Sequence, residues 1–257
     1  MLNVISAPPL LSLAQLHGLP LFVYDARTID QQIESLKSAY TGIRLDIRYA
    51  CKALSTIGIV RYIHQQGCGI DTVSPAEIMI ALHAGVPTSD ISFTPSGVSY
   101  EEYAFAIEKG VHIHVDQLHV LEWLDRHYPG TAVTLRFNPS VQAGGHSKLQ
   151  VGADGSKFGF LARQVDQVIR ESQNSSLIVT GVHMHLGSDV GDSSSFEHAY
   201  DYILSIARHW KETLQHIIVN GTVSEKTKAI KENDSIDKIL IELHEYERDV
   251  LYPIAIE

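Results

Sequence analysis

Cysteine is scarce in this chain of 257 residues, and long apolar runs and clusters of basic residues are missing. Two cysteines, Cys51 and Cys68, are too few for a disulfide framework, so we expect a reducing compartment and a cytoplasmic location. No apolar run approaches the roughly 20 residues that cross a bilayer. The first residues, Met1–Val4, also lack the basic start of a signal peptide. We therefore expect neither a membrane anchor nor secretion.

The balance of charge limits the partners. Lys and Arg total 20 against 30 Asp and Glu, which gives a net charge of −10. Nucleic acids and anionic membranes attract basic surfaces, so we expect neither as a partner. With 44% apolar and 19% charged residues the chain can bury a core, which excludes a disordered or fibrous protein. An enzyme or a small-molecule binder remains.

Short apolar runs alternate with helical patterns, such as Ile29, Ile33 and Leu36 on one face. Ser74–Glu77 predicts a capping box with proline at the first helical position. The alternation predicts a parallel sheet with crossover helices. Without the first run, the remaining strands number eight, which closes a (β/α)8 TIM-type barrel of about 250 residues. An open doubly wound sheet is the alternative, but no Gly-x-Gly-x-x-Gly follows an early strand. The predicted strands are Leu21–Tyr24, Arg48–Ala50, Gly69–Val73, Ile91–Thr94, Val111–Val115, Ala132–Phe137, Val179–His185, Ile217–Asn220 and Pro253–Ile256.

We predict a single domain over residues 1–257, with two ends that differ from the rest. Residues 1–25 form an N-terminal segment with an orphan strand, Leu21–Tyr24. Residues 211–257 hold 16 of the 50 charged residues but only one of the 18 glycines. This charged stretch is predicted to cover strands seven and eight.

Polar residues follow the predicted strands, where a barrel carries its active site. Lys52 follows the first buried strand, and a partly desolvated lysine there is suited to form a Schiff base with an aldehyde. A solvated loop lysine is the plain alternative. Asp71 ends the next strand, while Ser74 caps the helix behind it. Arg136 is flanked by apolar residues, so we expect it to have an anionic partner.

Two histidines, His183 and His185, lie on the same side of one predicted strand. They would suit a metal site, but no third ligand has convincing spacing, so we predict no metal. They would also suit the core. Alternatively, an imidazole stacks on a flat ring, while Gly187 and Ser188 offer an N–H and a hydroxyl to a phosphate.

Six segments of the chain form an ordered set, namely Tyr49–Ala53, Asp71–Glu77, Phe93–Ser99, Arg136–Pro139, Ser156–Gly159 and His183–Asp189. In this order they resemble segments of the fold-type III pyridoxal-phosphate-dependent decarboxylases, which implies an alanine racemase-like barrel. The similarity covers about residues 19–210. Within the family, it is greatest to the enzymes that decarboxylate meso-2,6-diaminopimelate to L-lysine.

The resemblance implies pyridoxal 5′-phosphate as cofactor and a small amino acid as substrate. Lys52 would hold the cofactor covalently, and Asp71 would lie beside it. His185 would stack on the cofactor ring, and Gly187 and Ser188 would bind its phosphate. The substrate region would contain Arg136, His146 and Glu77, although capping of a helix explains Glu77 equally well.

Three departures from the family pattern stand out. The family has a glycine-rich phosphate loop after the seventh strand, where this chain has only Gly221. A family glutamate after the eighth strand holds the pyridine nitrogen protonated, and Glu257 is its counterpart if Pro253–Ile256 is that strand. Family members are homodimers with a C-terminal β-domain, which has no counterpart in this sequence. We therefore expect a barrel alone that can hold the cofactor but has little catalytic activity by itself, and we leave its dimerisation undecided.

Three alternatives remain at this point. A partner chain would supply the missing parts of an active enzyme. A non-catalytic pyridoxal-phosphate carrier or regulatory single barrel would need no such parts. A metal-dependent barrel hydrolase would use His183 and His185.

Overall fold

Eight parallel strands close into a barrel in chain order, with β8 pairing back to β1. The computed structural model describes residues 7–39, 45–139, 158–185, 193–210, 213–220 and 239–243. The predicted (β/α)8 barrel is thereby confirmed. The strands are β1 Leu45–Ala50, β2 Gly69–Thr72, β3 Ile91–Phe93, β4 His112–Val115, β5 Ala132–Phe137, β6 Ile178–His185, β7 His216–Asn220 and β8 Ile239–Leu243.

Helices follow the first six strands in turn and form the outer layer. Two further helices precede β1, and short 3₁₀ turns cover Thr88–Asp90, Ala162–Gln164 and Arg208–Trp210. None of the described helices is long and apolar enough to cross a membrane. The helices are α1 Ala7–His17, α2 Ala26–Ala39, α3 Ile57–Gln65, α4 Pro75–His83, α5 Tyr100–Glu108, α6 Leu118–His127, α7 Val165–Asn174 and α8 Ser193–Ala207.

The strand sequences alternate apolar and polar residues, which separates two environments. Ile113 and Leu135 belong to the apolar core that also contains helix residues such as Leu124. The ring centroids of His114 and His183 lie 5.2 Å apart although β5 separates their strands, so this contact crosses the barrel interior. Such interiors are usually filled by Val, Ile and Leu. Here polar side chains occupy part of that space.

The start of α4 carries a capping box that is displaced by one residue. The Ser74 hydroxyl accepts a hydrogen bond from the Glu77 N–H at 3.3 Å, and Pro75 occupies the first turn. The Glu77 carboxylate accepts from the Val73 N–H at 2.8 Å rather than from the N–H of Ser74. Glu77 therefore still caps the helix, and it also ties the end of β2 to α4.

Two predicted strands need correction. Leu21–Tyr24 contains no strand, because no described element pairs with it to satisfy its backbone hydrogen bonds. The eighth strand is Ile239–Leu243, which pairs with both β1 and β7. Pro253–Ile256 lies outside the described residues. Ile239–Leu243 contains four aliphatic residues, two of them β-branched, and is as suited to a strand as Pro253–Ile256. The charged residues on both sides of it make this run hard to recognise in the sequence.

Candidate active site at the barrel mouth

The carboxyl ends of β1 and β2 bring the first predicted site residues together. The Cys51 N–H donates to the Asp71 carbonyl at 2.8 Å, which aligns the two strand ends. Cys51 is fully buried, so the next residue, Lys52, falls on the open side of the turn and is exposed. The prediction that Lys52 is partly desolvated is therefore wrong. The amine lies at the mouth, where a ligand can reach it.

The charges of Lys52 and Asp71 both affect the pKa of the Glu77 carboxyl. Burial raises the pKa of the Glu77 carboxyl, the Val73 N–H opposes the increase, Asp71 adds to it, and Lys52 opposes it. Burial, with smaller effects from Glu77 and Asp71, raises the pKa of the Cys51 thiol to about 12. Because the thiolate is the reactive form, Cys51 is no nucleophile near neutral pH. The chemically useful groups at this corner are one amine and two carboxyls.

Asp71 is held from below by two hydroxyls. Ser92 Oγ donates to Asp71 Oδ1 at 3.0 Å, and Thr94 Oγ1 lies 2.5 Å from the same oxygen. Only 1% of Asp71 is exposed, and a buried carboxylate needs such donors to offset its lost hydration. Thr94 also contacts His114 Nδ1 at 2.8 Å. Sequence reasoning missed Thr94 and His114.

On the far side of the mouth, Arg136 is buried beside an acidic residue and an aromatic ring. Its guanidinium carbon lies 5.0 Å from the ring centroid of Phe158. Asp116 follows β4, and burial raises the pKa of its carboxyl, while the charge of Arg136 opposes that increase. Asp116 is thus an acidic residue electrostatically coupled to Arg136, as the sequence predicts for a partner of this arginine. The alternation His112-Ile113-His114-Val115-Asp116 was the signal that could have identified it.

A tight backbone contact fixes the segment that carries Phe158. Phe160 N–H donates to the Arg136 carbonyl at 2.8 Å, and Asn138 N–H donates to the Phe160 carbonyl at 2.9 Å. Gly159 has φ +78°, and a Cβ placed there would lie 2.8 Å from the backbone nitrogen of Asn138. Only glycine fits this crossing without strain. The crossing holds Phe158 against Arg136.

The two histidines of β6 lie at different depths. His183 is fully buried against His114 inside the barrel, whereas His185 is the last residue of β6, with 7% of its surface exposed. His185 is therefore the one nearer the mouth. Among the residues that the structure describes, no three His, Cys, Asp or Glu side chains are grouped to hold a metal. The metal-dependent alternative gains no support from them.

Several predicted site residues lie outside the described residues, namely His146, Gly187, Ser188, Gly221 and Glu257. Their roles stay predictions. The role predicted for Glu257 also loses its premise, because β8 is Ile239–Leu243 and Glu257 lies 14 positions beyond it. Glu242 and Glu245 are the carboxylates close in sequence to the end of this strand.

A closed parallel barrel with an amine, carboxyls, a guanidinium and an imidazole at its carboxyl-end mouth defines an enzyme-type barrel. A family model described as "Pyridoxal-dependent decarboxylase, pyridoxal binding domain" matches residues 26–245. The chain belongs to this family, and its cofactor is pyridoxal 5′-phosphate.

Curated relatives and solved structures agree with the family match. The chain is 36% identical over 198 residues to diaminopimelate decarboxylase of Methanothermobacter thermautotrophicus, covering 76% of this chain and 46% of that protein. It is 31% identical over 220 residues to the Bacillus subtilis enzyme of that name, covering 80% and 49%. A crystal structure of diaminopimelate decarboxylase has a TM-score of 0.79 at 28% identity and covers 93% of this chain and 61% of that one. The chain thus spans about half the length of the curated relatives it matches.

The residues at the mouth fit this cofactor. Lys52 offers an accessible amine for covalent attachment to an aldehyde, and Asp71 offers a carboxylate already fixed by two donors. His185 presents a flat imidazole at the end of β6. Attachment, charge and a surface for stacking are therefore all available at one end of the barrel.

Proposed function

We propose that this chain is the pyridoxal-binding barrel of an enzyme that decarboxylates meso-2,6-diaminopimelate to L-lysine. The observation that carries the proposal is the similarity to proteins named diaminopimelate decarboxylase, at 31–36% identity over 76–80% of this chain. The mouth of the barrel supports it, because the charges of Lys52 and Asp71 both act on the Glu77 carboxyl there. We also propose a cytoplasmic location, in keeping with the two buried free cysteines.

Bound pyridoxal phosphate supplies an electron sink for the carbanion that is left when carbon dioxide departs. Lys52 would hold the cofactor covalently through its amine. Asp71, fixed by Ser92 and Thr94, would keep a negative charge beside it. His185 would stack on its ring, a contact of about 1 kcal/mol. Gly187, Ser188 and Gly221 would contact its phosphate.

Arg136 would orient the substrate from the opposite side of the mouth. Its guanidinium is positioned by the Phe158 ring and by the nearby Asp116 carboxyl. A guanidinium binds a carboxylate through two parallel hydrogen bonds, which fixes the direction of that group. His146 and Glu77 would lie in the same region, and Glu77 can hold or release a proton because its pKa is raised.

The test is release of carbon dioxide by the purified chain, loaded with pyridoxal phosphate, from meso-diaminopimelate and in parallel from L-lysine, L-ornithine and L-arginine. We expect release from meso-diaminopimelate that exceeds release from the other three. The matched controls are Lys52→Ala, which should abolish release, and Lys109→Ala, which removes an exposed lysine on the outer layer.

Faster release from L-ornithine or L-arginine would contradict the proposed substrate. Cofactor binding without release from any of the four would contradict decarboxylation by this chain. That result would favour either the non-catalytic single barrel or an enzyme whose missing parts come from a partner chain.

A further inference from the structure

Three buried polar side chains connect the site carboxylate to the interior of the barrel. They are Asp71 on β2, Thr94 just after β3 and His114 on β4, of which 1%, 5% and 1% are exposed. Thr94 Oγ1 lies 2.5 Å from Asp71 Oδ1 and 2.8 Å from His114 Nδ1. Since a hydroxyl has a single hydrogen, these two contacts cannot both be donated by Thr94.

The distances and the chemistry of the three groups decide where the hydrogen goes. An ionised carboxylate only accepts hydrogen bonds, and an O–H···O⁻ bond of 2.5–2.7 Å is typical of a charge-assisted contact. The separation of Thr94 and Asp71 falls in this range. Thr94 therefore donates to Asp71 and accepts from His114. This requires a hydrogen on Nδ1 of His114.

We propose that His114 is a positioning residue of the pyridoxal site, whose Nδ1–H fixes the Thr94 hydroxyl so that it donates to Asp71. This inference rests on the proposed function, in which Asp71 lies beside the cofactor. Without the imidazole the hydroxyl is free to rotate, and Asp71 loses the constant donation from one of the two hydroxyls described above. The charge and the orientation of the Asp71 carboxylate beside the cofactor would then be less constant.

The groups that face His114 act in the same sense. The His112 and His183 rings lie 5.6 Å and 5.2 Å from the His114 ring, and His183 pairs in register with Arg136. The His112 Nε2 is within 2.8 Å of Thr134 Oγ1, so that imidazole has its own partner. These imidazoles and the guanidinium are neutral or positive, so any charge that they carry favours an ionised Asp71. The Glu77 carboxyl, which is electrostatically coupled to Asp71, acts in the opposite direction when it is ionised.

The first experiment measures the histidine tautomer directly, in the chain without cofactor. Nitrogen-15 NMR of the histidine-labelled protein distinguishes an imidazole with its hydrogen on Nδ1 from one with its hydrogen on Nε2. We expect His114, assigned by the signal missing from His114→Asn, to carry hydrogen on Nδ1. An Nδ1 without hydrogen would overturn the proposal, because Thr94 would then donate to the imidazole and Asp71 would be the donor to Thr94.

The second experiment compares the affinity for pyridoxal phosphate among variants, by absorbance titration. His114→Leu removes the imidazole that fixes the Thr94 hydroxyl, and Thr94→Val removes that hydroxyl itself. In both cases Asp71 loses a constant charge-assisted donor, which predicts about tenfold weaker binding. His114→Asn retains an N–H near the position of Nδ1, so we expect binding within about threefold of wild type. Ile113→Val, on the outer face of the same strand, controls for general weakening of β4.

The outcomes separate this inference from the proposed function. Equal weakening by His114→Asn and His114→Leu would overturn the positioning role, because the retained donor would then have no effect. If His114→Leu does not fold, Thr94→Val and the tautomer of the wild-type chain decide. A wild-type chain that binds no pyridoxal phosphate would contradict the proposed function, while the tautomer would still test the proton arrangement by itself.

Discussion

Glu77 has two tasks that place opposite demands on its charge. As the acceptor for Val73 N–H at the start of α4 it is favoured in the ionised form, and burial near Asp71 disfavours that form. Burial is the larger effect, so the pKa of Glu77 is raised. A proton held there is available at the site at a pH where an exposed glutamate has lost its own.

The stability of the fold should record this raised pKa. A carboxyl whose pKa is higher in the folded than in the unfolded chain stabilises the fold fully below about pH 4.3, the ordinary glutamate value. That contribution is lost as the pH rises through the folded-state pKa. Glu77→Gln keeps an acceptor for Val73 but does not ionise. Its unfolding free energy relative to wild type should therefore increase from about pH 4 to about pH 8, as measured by urea unfolding.

Glu101 supplies a control of opposite sign. Its own backbone N–H and the Ser99 hydroxyl lower the pKa of this exposed carboxyl at the start of α5. Its contribution is present above the ordinary glutamate pKa and is lost as the pH falls. Glu101→Gln should therefore lose stability relative to wild type as the pH rises. The same direction of change in both variants would contradict the electrostatic account of Glu77.

At the residue scale, the sequence predicted side chains that directly follow a strand but missed those that act in pairs. Lys52 and Arg136 could be found because each interrupts or ends an apolar run. Thr94 and His114 each look ordinary where they stand in the sequence. Their partners lie on other strands, 20 to 23 positions away in the case of Thr94, and only closure of the barrel brings them together.

At the scale of elements, the segment after β5 depends on one glycine. Gly159 combines a positive φ with a backbone crossing, whereas Gly130 has φ +81° and no heavy atom within 4 Å of the position that a Cβ would take. Gly130→Ala should cost about 1–2 kcal/mol, the strain of the left-handed conformation alone. Gly159→Ala should cost about 2 kcal/mol more, because the added carbon also overlaps the backbone.

Thermal or urea unfolding of the two glycine variants measures this difference. Loss of the crossing should also release Phe158 from Arg136, so Gly159→Ala should bind pyridoxal phosphate or substrate more weakly than Gly130→Ala. Equal stabilities of the two variants would mean that the crossing after β5 is not tight in solution.

Strands β1 to β7 were predicted from sequence to within three residues at either end, because each is a short apolar or alternating run bounded by turn or capping residues. Two failures have a common cause. Leu21–Tyr24 and Ile239–Leu243 are both short apolar runs, and only the second finds neighbours, β1 and β7, on both sides. Pairing across the sheet decides which run becomes a strand, and a single sequence does not contain that information.

For the molecule as a whole, the distribution of polarity agrees with a site at the mouth of the barrel, as we propose. The apolar residues of the strands pack outward against the helices, and polar side chains occupy the interior seen between β2, β4 and β6. The interior therefore supports the side chains at the mouth through hydrogen bonds as well as through packing. The side chains that we propose to act at the carboxyl ends of the strands lie on this polar layer.

The central claim is that this barrel binds pyridoxal phosphate at its mouth through Lys52. The most direct measurement is borohydride reduction of the chain mixed with pyridoxal phosphate, followed by proteolysis and mass spectrometry of the peptides. We predict a pyridoxyl group on Lys52, absent from Lys52→Ala and unchanged in Lys109→Ala. A group fixed mainly on another lysine, or undiminished in Lys52→Ala, would contradict the account.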